Sequence, residues 1–153
     1  MSATTSLVTE SLIDRERAVV MQTYARQPVA FASGDGCWLV DADGKRYLDC
    51  LGGLAVVSVG HANPRVAAAV REQMMRLVHV SNLYFTEPMV TLAERLSHLS
   101  GLSRVFFCND GATANEAAIK LARRYGQTHR GVGCFKVVSL LDSFHGRTLA
   151  TLA

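Results

Sequence analysis

The stretch Arg104–Tyr125, RVFFCNDGATANEAAIKLARRY, changes character at its glycine. Before the glycine, Val105–Cys108 is a continuous apolar run of the kind found in strands that are buried on both faces. Asn109–Gly111 breaks that run, and small or apolar residues then recur at helical spacing from Ala114 onward. The stretch therefore predicts a buried strand, a glycine turn and an amphipathic helix.

The start of the predicted helix has the composition of an anion site. Thr113 and Glu116 have the spacing of a capping box, which predicts that the helix begins near Thr113. Free backbone amides converge at a helix start, and the helix dipole favours negative charge there, so phosphate is a frequent ligand. The three spaced glycines of a dinucleotide fingerprint and the Gly-Lys-Ser/Thr ending of a P-loop are both missing. From these residues alone, a phosphate site and a turn that binds nothing are equally good interpretations.

A second apolar run, Cys134–Leu141, follows the helix. Strand, helix and strand in this order predict a parallel βαβ unit with a right-handed crossover. Ligands of such sheets bind outside the carboxyl ends of the strands. The turn at Asn109–Gly111 and the segment Ser143–Arg147 both follow predicted strands, so we expect them to lie near each other.

The chain before this unit alternates between helical and strand-like patterns, and Gly52–Ala55 interrupts them as a connecting segment. The predicted elements are a helix over about Leu7–Tyr24, a strand hairpin between Ala30 and Leu51 that turns at Asp43-Gly44, a helix from Asn63-Pro64 to about His79, and a helix from Thr86–Pro88 to Gly101.

Composition limits the classes of function. The chain has 153 residues, and its hydrophobic content of 49% is enough for one domain with a sizeable core. A net charge of +3 with scattered basic residues argues against a nucleic-acid partner. No apolar run approaches membrane-spanning length, and the N-terminus lacks the apolar core of a signal peptide, so we predict no membrane association and a cytoplasmic location. The four cysteines are widely spaced, which predicts buried free thiols rather than a metal site.

Several longer stretches resemble the class III aminotransferases, which use pyridoxal 5'-phosphate. They occur in the order and at about the separations of that family, and the resemblance extends from about Pro28 to the end of the chain. The stretches are VDADGKRYLDCLGGLAVVSVGHANPRV (40–66), VSNLYFTEP (80–88), FCNDGATANEAAIKLARRYG (107–126) and SFHGRT (143–148). Within the family, the likeness is greatest to acetylornithine aminotransferases and their ω-aminotransferase relatives.

The resemblance implies a fold and a domain organisation. The fold would be α/β, that of a fold type I pyridoxal-phosphate-dependent transferase. Residues 1–60 would be an N-terminal segment of helix and hairpin that belongs to the small domain. Residues 61–153 would be the first part of the large, mainly parallel-sheet domain that binds the cofactor. That domain would be incomplete in this chain.

The resemblance also implies roles for residues near the glycine turn and the SFHGRT segment. Gly111 and Ala112 would offer backbone amides to the cofactor phosphate, and Thr113 would offer its hydroxyl. Phe144 matches the aromatic residue that stacks on the pyridine ring, and His145 follows it as a further cofactor contact. Arg147 matches the arginine that binds a substrate carboxylate, for which paired guanidinium donors are well shaped.

By the same resemblance, the complete protein would move an amino group from an ω-amino donor such as acetylornithine to a 2-oxo acid such as 2-oxoglutarate, as a homodimer with sites at its interface. The family's Schiff-base lysine lies beyond residue 153, so no catalytic residue is assigned. The chain is expected to be a fragment that is inactive alone. Lys45, Lys120 and Lys136 fall on a hairpin, a polar helix face and a strand, and none is a candidate for that lysine.

The run Asp110–Thr113 departs from many relatives and is more like that of the diaminopelargonate aminotransferases. The carboxylate of Asp110 would repel a phosphate unless it turned away to cap helix amides. Two alternatives therefore stay open. The chain could belong to a diaminopelargonate-type or other class III enzyme, such as a racemase-like one, or it could be a non-catalytic phosphate-binding or dimerising module.

Overall fold

The computed structural model describes residues 7–152, which divide into two compact units between Val80 and Ser81. The predicted domain boundary at residues 60 and 61 lies inside the first unit. An antiparallel bridge joins Gly36 to His61 through paired backbone hydrogen bonds of 3.0 and 2.8 Å, and it ties the start of the predicted second domain to the first unit. The assignment of these residues to a small and a large domain stays a prediction.

The first unit begins with helix α1, Leu7–Val19. The helix was predicted to continue to about Tyr24, but it ends at Val19, and beyond its end the side chain of Gln22 donates to the carbonyl of Val20 at 2.8 Å. A three-stranded antiparallel sheet follows, in the order β1, β2, β3. The strands are β1 Phe31–Asp35, β2 Trp38–Asp41 and β3 Arg46–Leu48, and they confirm the predicted hairpin.

Asp41 organises the turn between β2 and β3. Its Oδ1 accepts the amides of Asp43 and Lys45, each at 2.9 Å, and its Oδ2 accepts the hydroxyl of Tyr47 at 2.8 Å. Burial opposes the charge of Asp41, but these hydrogen bonds outweigh it and hold the pKa of the carboxyl below its ordinary value. The same bond to the carboxylate raises the pKa of the Tyr47 hydroxyl.

After β3 the chain forms the short helical turn α2, Gly52–Ala55, and then helix α3, Pro64–Arg76. Asn63 caps α3 by accepting the amides of Arg65 and Val66, as its sequence predicted.

The second unit contains helices α4, Glu87–Ser100, and α5, Gly111–Arg130. Helix α4 ends as predicted at Gly101, whose φ of 71° gives the left-handed C-cap that favours glycine. Helix α5 begins before its predicted start at Thr113 because Asp110, rather than Thr113, is the N-cap. It ends at Arg130.

The runs Val105–Cys108 and Cys134–Leu141 do not form the predicted strands. A parallel strand exists only through hydrogen bonds to its neighbours, and no segment within residues 7–152 pairs with either run. An apolar sequence shows that a run suits a sheet interior, but it does not supply the neighbouring strands. The predicted βαβ unit is therefore present as its helix and two unpaired flanking runs.

The predicted hydrophobic core is absent from the described part of the chain, residues 7–152. No apolar side chain there is buried, and the buried residues are Thr9, Asp41, Gly126 and Thr151. All four cysteines are free, as predicted, but they are exposed rather than buried. They lie in apolar runs that nothing in this part of the chain covers. In the same residues, no helix is both long and apolar enough to cross a membrane.

Candidate active site

The N-terminus of α5 is capped by the carboxylate of Asp110. One oxygen accepts the amide of Thr113 at 2.8 Å, and the other accepts the Thr113 hydroxyl at 3.1 Å. These two bonds from Thr113 hold the pKa of Asp110 below its ordinary value, so the carboxylate is charged near neutral pH. The carboxylate of Asp110 has thus turned to cap the helix, which is the condition under which the sequence allowed it beside a phosphate.

Space is also open beside the first residue of the helix. A Cβ added to Gly111 would meet nothing within 4 Å, so the side-chain direction of Gly111 faces open space. Both donors of Thr113 are occupied by Asp110, so the hydroxyl of Thr113 reaches a phosphate only if Asp110 releases it. The carboxylate of Asp110 also interacts with the amide of Ala112, whereas the amide of Gly111, together with the helix dipole, fits a phosphate group without such a change.

The segment that contains SFHGRT lies against the first turns of α5, so the predicted proximity is present although the two strands that suggested it are not. The side-chain amide of Asn115 donates to the carbonyl of His145 at 2.6 Å. Gly146 has a φ of +134°, and a Cβ added there would come within 2.6 Å of the Cβ of Ala112. Only glycine allows this approach, since any side chain would both strain the backbone and displace the segment from the helix.

A group of hydroxyls secures the end of the same segment. Thr148 donates its hydroxyl to the carboxylate of Glu116 at 2.6 Å, and its Oγ1 also lies 2.8 Å from the hydroxyl of Thr151. The Thr148 bond holds the pKa of Glu116 below its ordinary value. Thr151 is 2% exposed. Glu116 was predicted to serve a capping box, but its carboxylate binds this segment instead.

Phe144 and Arg147 lie on the exposed side of the segment. Phe144 is 78% exposed, and the guanidinium carbon of Arg147 is 6.0 Å from the centre of its ring, at the outer limit of a cation–π contact. The aromatic ring and the guanidinium are therefore neighbours, and both face outward where a ligand could meet them.

His145 occupies a different position. Its ring lines a cavity of about 310 Å³ together with Asn115, Ile119 and Val137. Its Nε2 is buried, with no hydrogen-bond partner among the described residues. The predicted contact of His145 with the cofactor stays a prediction, and in this chain the ring is part of the packing between α5 and residue 137.

The structure thus brings together two of the predicted groups, Gly111–Thr113 and Phe144–Arg147, across residues that the sequence did not identify as part of a site. The residues that join them are Asn115, Glu116, Gly146, Thr148 and Thr151. The glycine inside SFHGRT, Gly146, was the sequence signal that could have indicated its close approach to Ala112. The other contacts connect residues about 30 positions apart, such as Asn115 with His145, and no local pattern reveals them.

Of the three lysines, Lys45 and Lys120 lie on the predicted hairpin and helix face, whereas the strand predicted around Lys136 is absent. Lys120 lies 3.8 Å from the carboxylate of Glu116 and is 75% exposed, and the ammonium of Lys45 lies over the ring of Tyr47 at 4.9 Å. Lys136 is exposed. Among residues 7–152, no three His, Cys, Asp or Glu side chains are grouped so that they could hold a metal ion.

The family model described as "Aminotransferase class-III" matches residues 20–153. Among curated proteins, the chain is 48% identical over 141 residues to the acetylornithine aminotransferase of Archaeoglobus fulgidus, covering 92% of this chain and 36% of that protein. It is 53% identical over 133 residues to that of Nitrosomonas europaea, covering 87% of this chain and 34% of the relative. The chain therefore spans about a third of the length of these relatives.

Solved structures give the same result for the fold. The chain superposes with a TM-score of 0.85 on an aminotransferase of Bacillus anthracis, at 32% identity, covering 97% of this chain and 34% of the other. It superposes with a TM-score of 0.83 on the ornithine aminotransferase of Toxoplasma gondii, at 28% identity, covering 94% of this chain and 34% of that protein. The predicted α/β, fold type I class is confirmed, and pyridoxal phosphate is the cofactor of this family. Because the family model matches most of its residues, this chain belongs to the class III aminotransferases.

Proposed function

We propose that the chain supplies the phosphate-binding, ring-stacking and carboxylate-binding residues of a pyridoxal-phosphate-dependent aminotransferase. The donor would be an ω-amine like acetylornithine, and the acceptor a 2-oxo acid such as 2-oxoglutarate. The names of the relatives at 48% and 53% identity support this choice of donor over the diaminopelargonate-type alternative.

The observation that carries the proposal is the contact of residues 145–148 with the first turns of α5. The carbonyl of His145, the backbone of Gly146 and the hydroxyl of Thr148 all meet that helix. A phosphate at the amides of Gly111 and Ala112 and a carboxylate at Arg147 would consequently be bound by one joined group of residues rather than by two separate surfaces.

Each residue has a distinct part in this proposal. When bound, pyridoxal phosphate supplies an electron sink for the amino-group transfer. Gly111 and Ala112 donate amides to its phosphate, and Thr113 joins them where Asp110 gives up its hydroxyl. Phe144 offers a face to the pyridine ring, with His145 behind it. Arg147 holds a substrate carboxylate with paired donors and so orients the amine.

The broader organisation belongs to the same proposal. Residues 1–60 would serve the small domain and residues 61–153 the cofactor-binding domain of a cytoplasmic homodimer. Catalysis would depend on a lysine outside these residues, so the chain by itself would have no turnover.

The choice of donor is tested by assaying the complete enzyme with acetylornithine, ornithine and diaminopelargonate, each with the same acceptor. A preference for diaminopelargonate would replace the proposed donor while leaving the family unchanged.

Two variants of the complete enzyme test the residue roles. Arg147→Ala should weaken the binding of carboxylate-bearing amines by about 2–5 kcal/mol, the scale for truncating one side of a buried charge pair. The absorbance spectrum of the bound cofactor should stay nearly unchanged. Phe144→Ala should loosen the cofactor by about 1–3 kcal/mol, by analogy with aromatic stacking on nucleobases.

Both variants are assayed with carboxylate-bearing and carboxylate-free amines and one carboxylate-free carbonyl acceptor, and Arg95→Ala, an exposed arginine of α4, serves as the control. If Arg147→Ala slows both kinds of amine equally, Arg147 is structural and its proposed role is wrong.

A further inference from the structure

Arg147 lies between two anchored positions. Two residues before it, the carbonyl of His145 accepts from Asn115 at 2.6 Å, and one residue after it, the hydroxyl of Thr148 donates to Glu116 at 2.6 Å. Asn115 and Glu116 are consecutive residues of α5, so one short piece of helix fixes the backbone on both sides of the arginine. The side chain of Arg147 stays exposed between these anchors.

The bond between Thr148 and Glu116 is the stronger of the two anchors. A hydroxyl bound to an ionised carboxylate at 2.6 Å has the length of a charge-assisted hydrogen bond, which is about twice as strong as a neutral one. Thr151 supports it, because its hydroxyl lies 2.8 Å from that of Thr148 and also accepts the Thr148 amide at 3.0 Å. Thr151, which is 2% exposed, therefore holds Thr148 in place.

Stability of the helix does not explain this use of Glu116. The first turn of α5 is capped by Asp110, so Glu116 is not needed as a cap. Its ion pair with Lys120, at 3.8 Å and with a 75% exposed ammonium group, is of the exposed kind that contributes little. The hydroxyl of Thr148 is the close partner of this carboxylate, and it belongs to the segment that presents Arg147.

We propose that Glu116 and Asn115 are positioning residues for substrate recognition: they fix residues 145–148 on α5 and thereby preset the guanidinium of Arg147 for a carboxylate-bearing substrate. This inference rests on the proposed role of Arg147. A guanidinium on a fixed backbone loses less conformational freedom when a carboxylate binds, so the anchors contribute to the affinity for such substrates without touching them.

The hydroxyl of Thr148 allows the anchor to be removed with little change of shape. In the complete enzyme, Thr148→Val removes the donor and keeps the volume, Thr148→Ser keeps the donor, and Glu116→Gln keeps an acceptor without the charge. Thr128→Val, at an exposed threonine late in α5, is the matched control. The measurements are KM and kcat for carboxylate-bearing and carboxylate-free amines with one carboxylate-free acceptor, the absorbance of the bound cofactor, and the melting temperature.

We expect Thr148→Val to raise KM for carboxylate-bearing amines roughly ten- to a hundredfold, the range for losing a hydrogen bond to a charged group. Carboxylate-free amines and the cofactor absorbance should change little. Thr148→Ser should restore most of the affinity, and Glu116→Gln should fall between them. In the double variant with Arg147→Ala, Thr148→Val should cost nothing further, because the residue it positions is gone.

Equal losses for both kinds of amine, or no loss for either, would overturn the inference, as would failure of Thr148→Ser to restore affinity. Parallel assay of Arg147→Ala separates this outcome from failure of the proposed function. If Arg147→Ala is selective for carboxylates and Thr148→Val is not, only the positioning role is wrong. If Arg147→Ala is itself unselective, the proposed role of Arg147 fails, and the positioning role is overturned with it.

Discussion

At the start of α5, one carboxylate decides which backbone amides are open to an anion. Asp110 takes both donors of Thr113 and leaves Gly111 facing open space. Its own charge, however, lies beside the place where the cofactor phosphate would bind. The arrangement combines a good helix cap with an unfavourable electrostatic neighbour for the phosphate.

Asp110→Asn in the complete enzyme should therefore tighten cofactor binding. Asparagine caps helices as well as aspartate does, so the helix start should persist while the repulsion disappears. The measurement is the dissociation constant of pyridoxal phosphate at low and high salt, with Asp35→Asn, an exposed carboxylate of β1, as control. The gain should shrink as salt screens the charge. Weaker binding in Asp110→Asn would contradict the assigned phosphate position.

Motifs in the sequence assigned ligand-binding roles, which stay predictions, but they did not reveal the residues that support the ligand-binding segments. Gly111 and Arg147 stand in motifs, and the structure places both motifs on one helix. Glu116 was assigned to the wrong hydrogen bond because local spacing suggested a cap, whereas its partner, Thr148, lies 32 residues away.

At the scale of elements, helices were predicted well and strands of the second unit were not. Helix α3 begins after its N-cap Asn63, and helix α4 ends at its C-cap Gly101. Both signals act within a few residues. The runs at Val105–Cys108 and Cys134–Leu141 need neighbouring strands, and residues 7–152 contain none for them. Local chemistry is readable from sequence, but pairing across a sheet depends on residues far away.

In the first unit, the chain after β3 is held by an aspartate–histidine pair. Asp49 Oδ1 accepts the amides of Leu51 and Gly52 at 3.0 and 2.8 Å, while Oδ2 lies 2.7 Å from Nε2 of His61. The pair connects the start of α2 to residue 61. The turn it holds is strained, because Leu54 and Ala55 have φ values of 61° and 65°, which non-glycine residues rarely adopt.

This pair should give the protein an acid-sensitive stability. The His61 hydrogen bond, followed by those from Gly52 and Leu51, lowers the pKa of Asp49 from 3.8 in the folded state. The unfolded state thus binds the proton more readily, so the stabilisation is complete above pH 3.8 and is lost as the pH falls through the folded pKa. The free energy of unfolding of the complete protein, measured by denaturant from pH 5 to below pH 3, should fall less steeply with acid in Asp49→Asn than in wild type. Identical slopes would show that the pair contributes nothing to acid sensitivity.

At the scale of the molecule, the described chain has apolar faces without a core. No apolar side chain within residues 7–152 is buried, and large ones such as Phe85 and Leu141 are each 93% exposed. Exposed apolar surface of this extent marks sites that are covered by further protein. The apolar residues, whose number predicted a core, therefore lie on exposed faces that other protein segments could cover.

The 153-residue chain, produced alone, should consequently self-associate rather than remain a compact monomer. Sedimentation velocity at several concentrations should show species larger than the monomer, and thermal unfolding should lack a sharp cooperative transition. A concentration-independent monomer that unfolds cooperatively would contradict this expectation and favour a self-contained binding module.

In the proposed site, residues 111–113 and 144–147 bind the cofactor and the substrate carboxylate together. A crystal structure of the complete protein with pyridoxal phosphate and a carboxylate-bearing amine tests it most directly. We expect phosphate oxygens about 2.7–3.2 Å from the amides of Gly111 and Ala112, the pyridine ring against Phe144, and the substrate carboxylate paired with Arg147. A phosphate bound away from the start of α5, or a substrate carboxylate held by another residue, would contradict it.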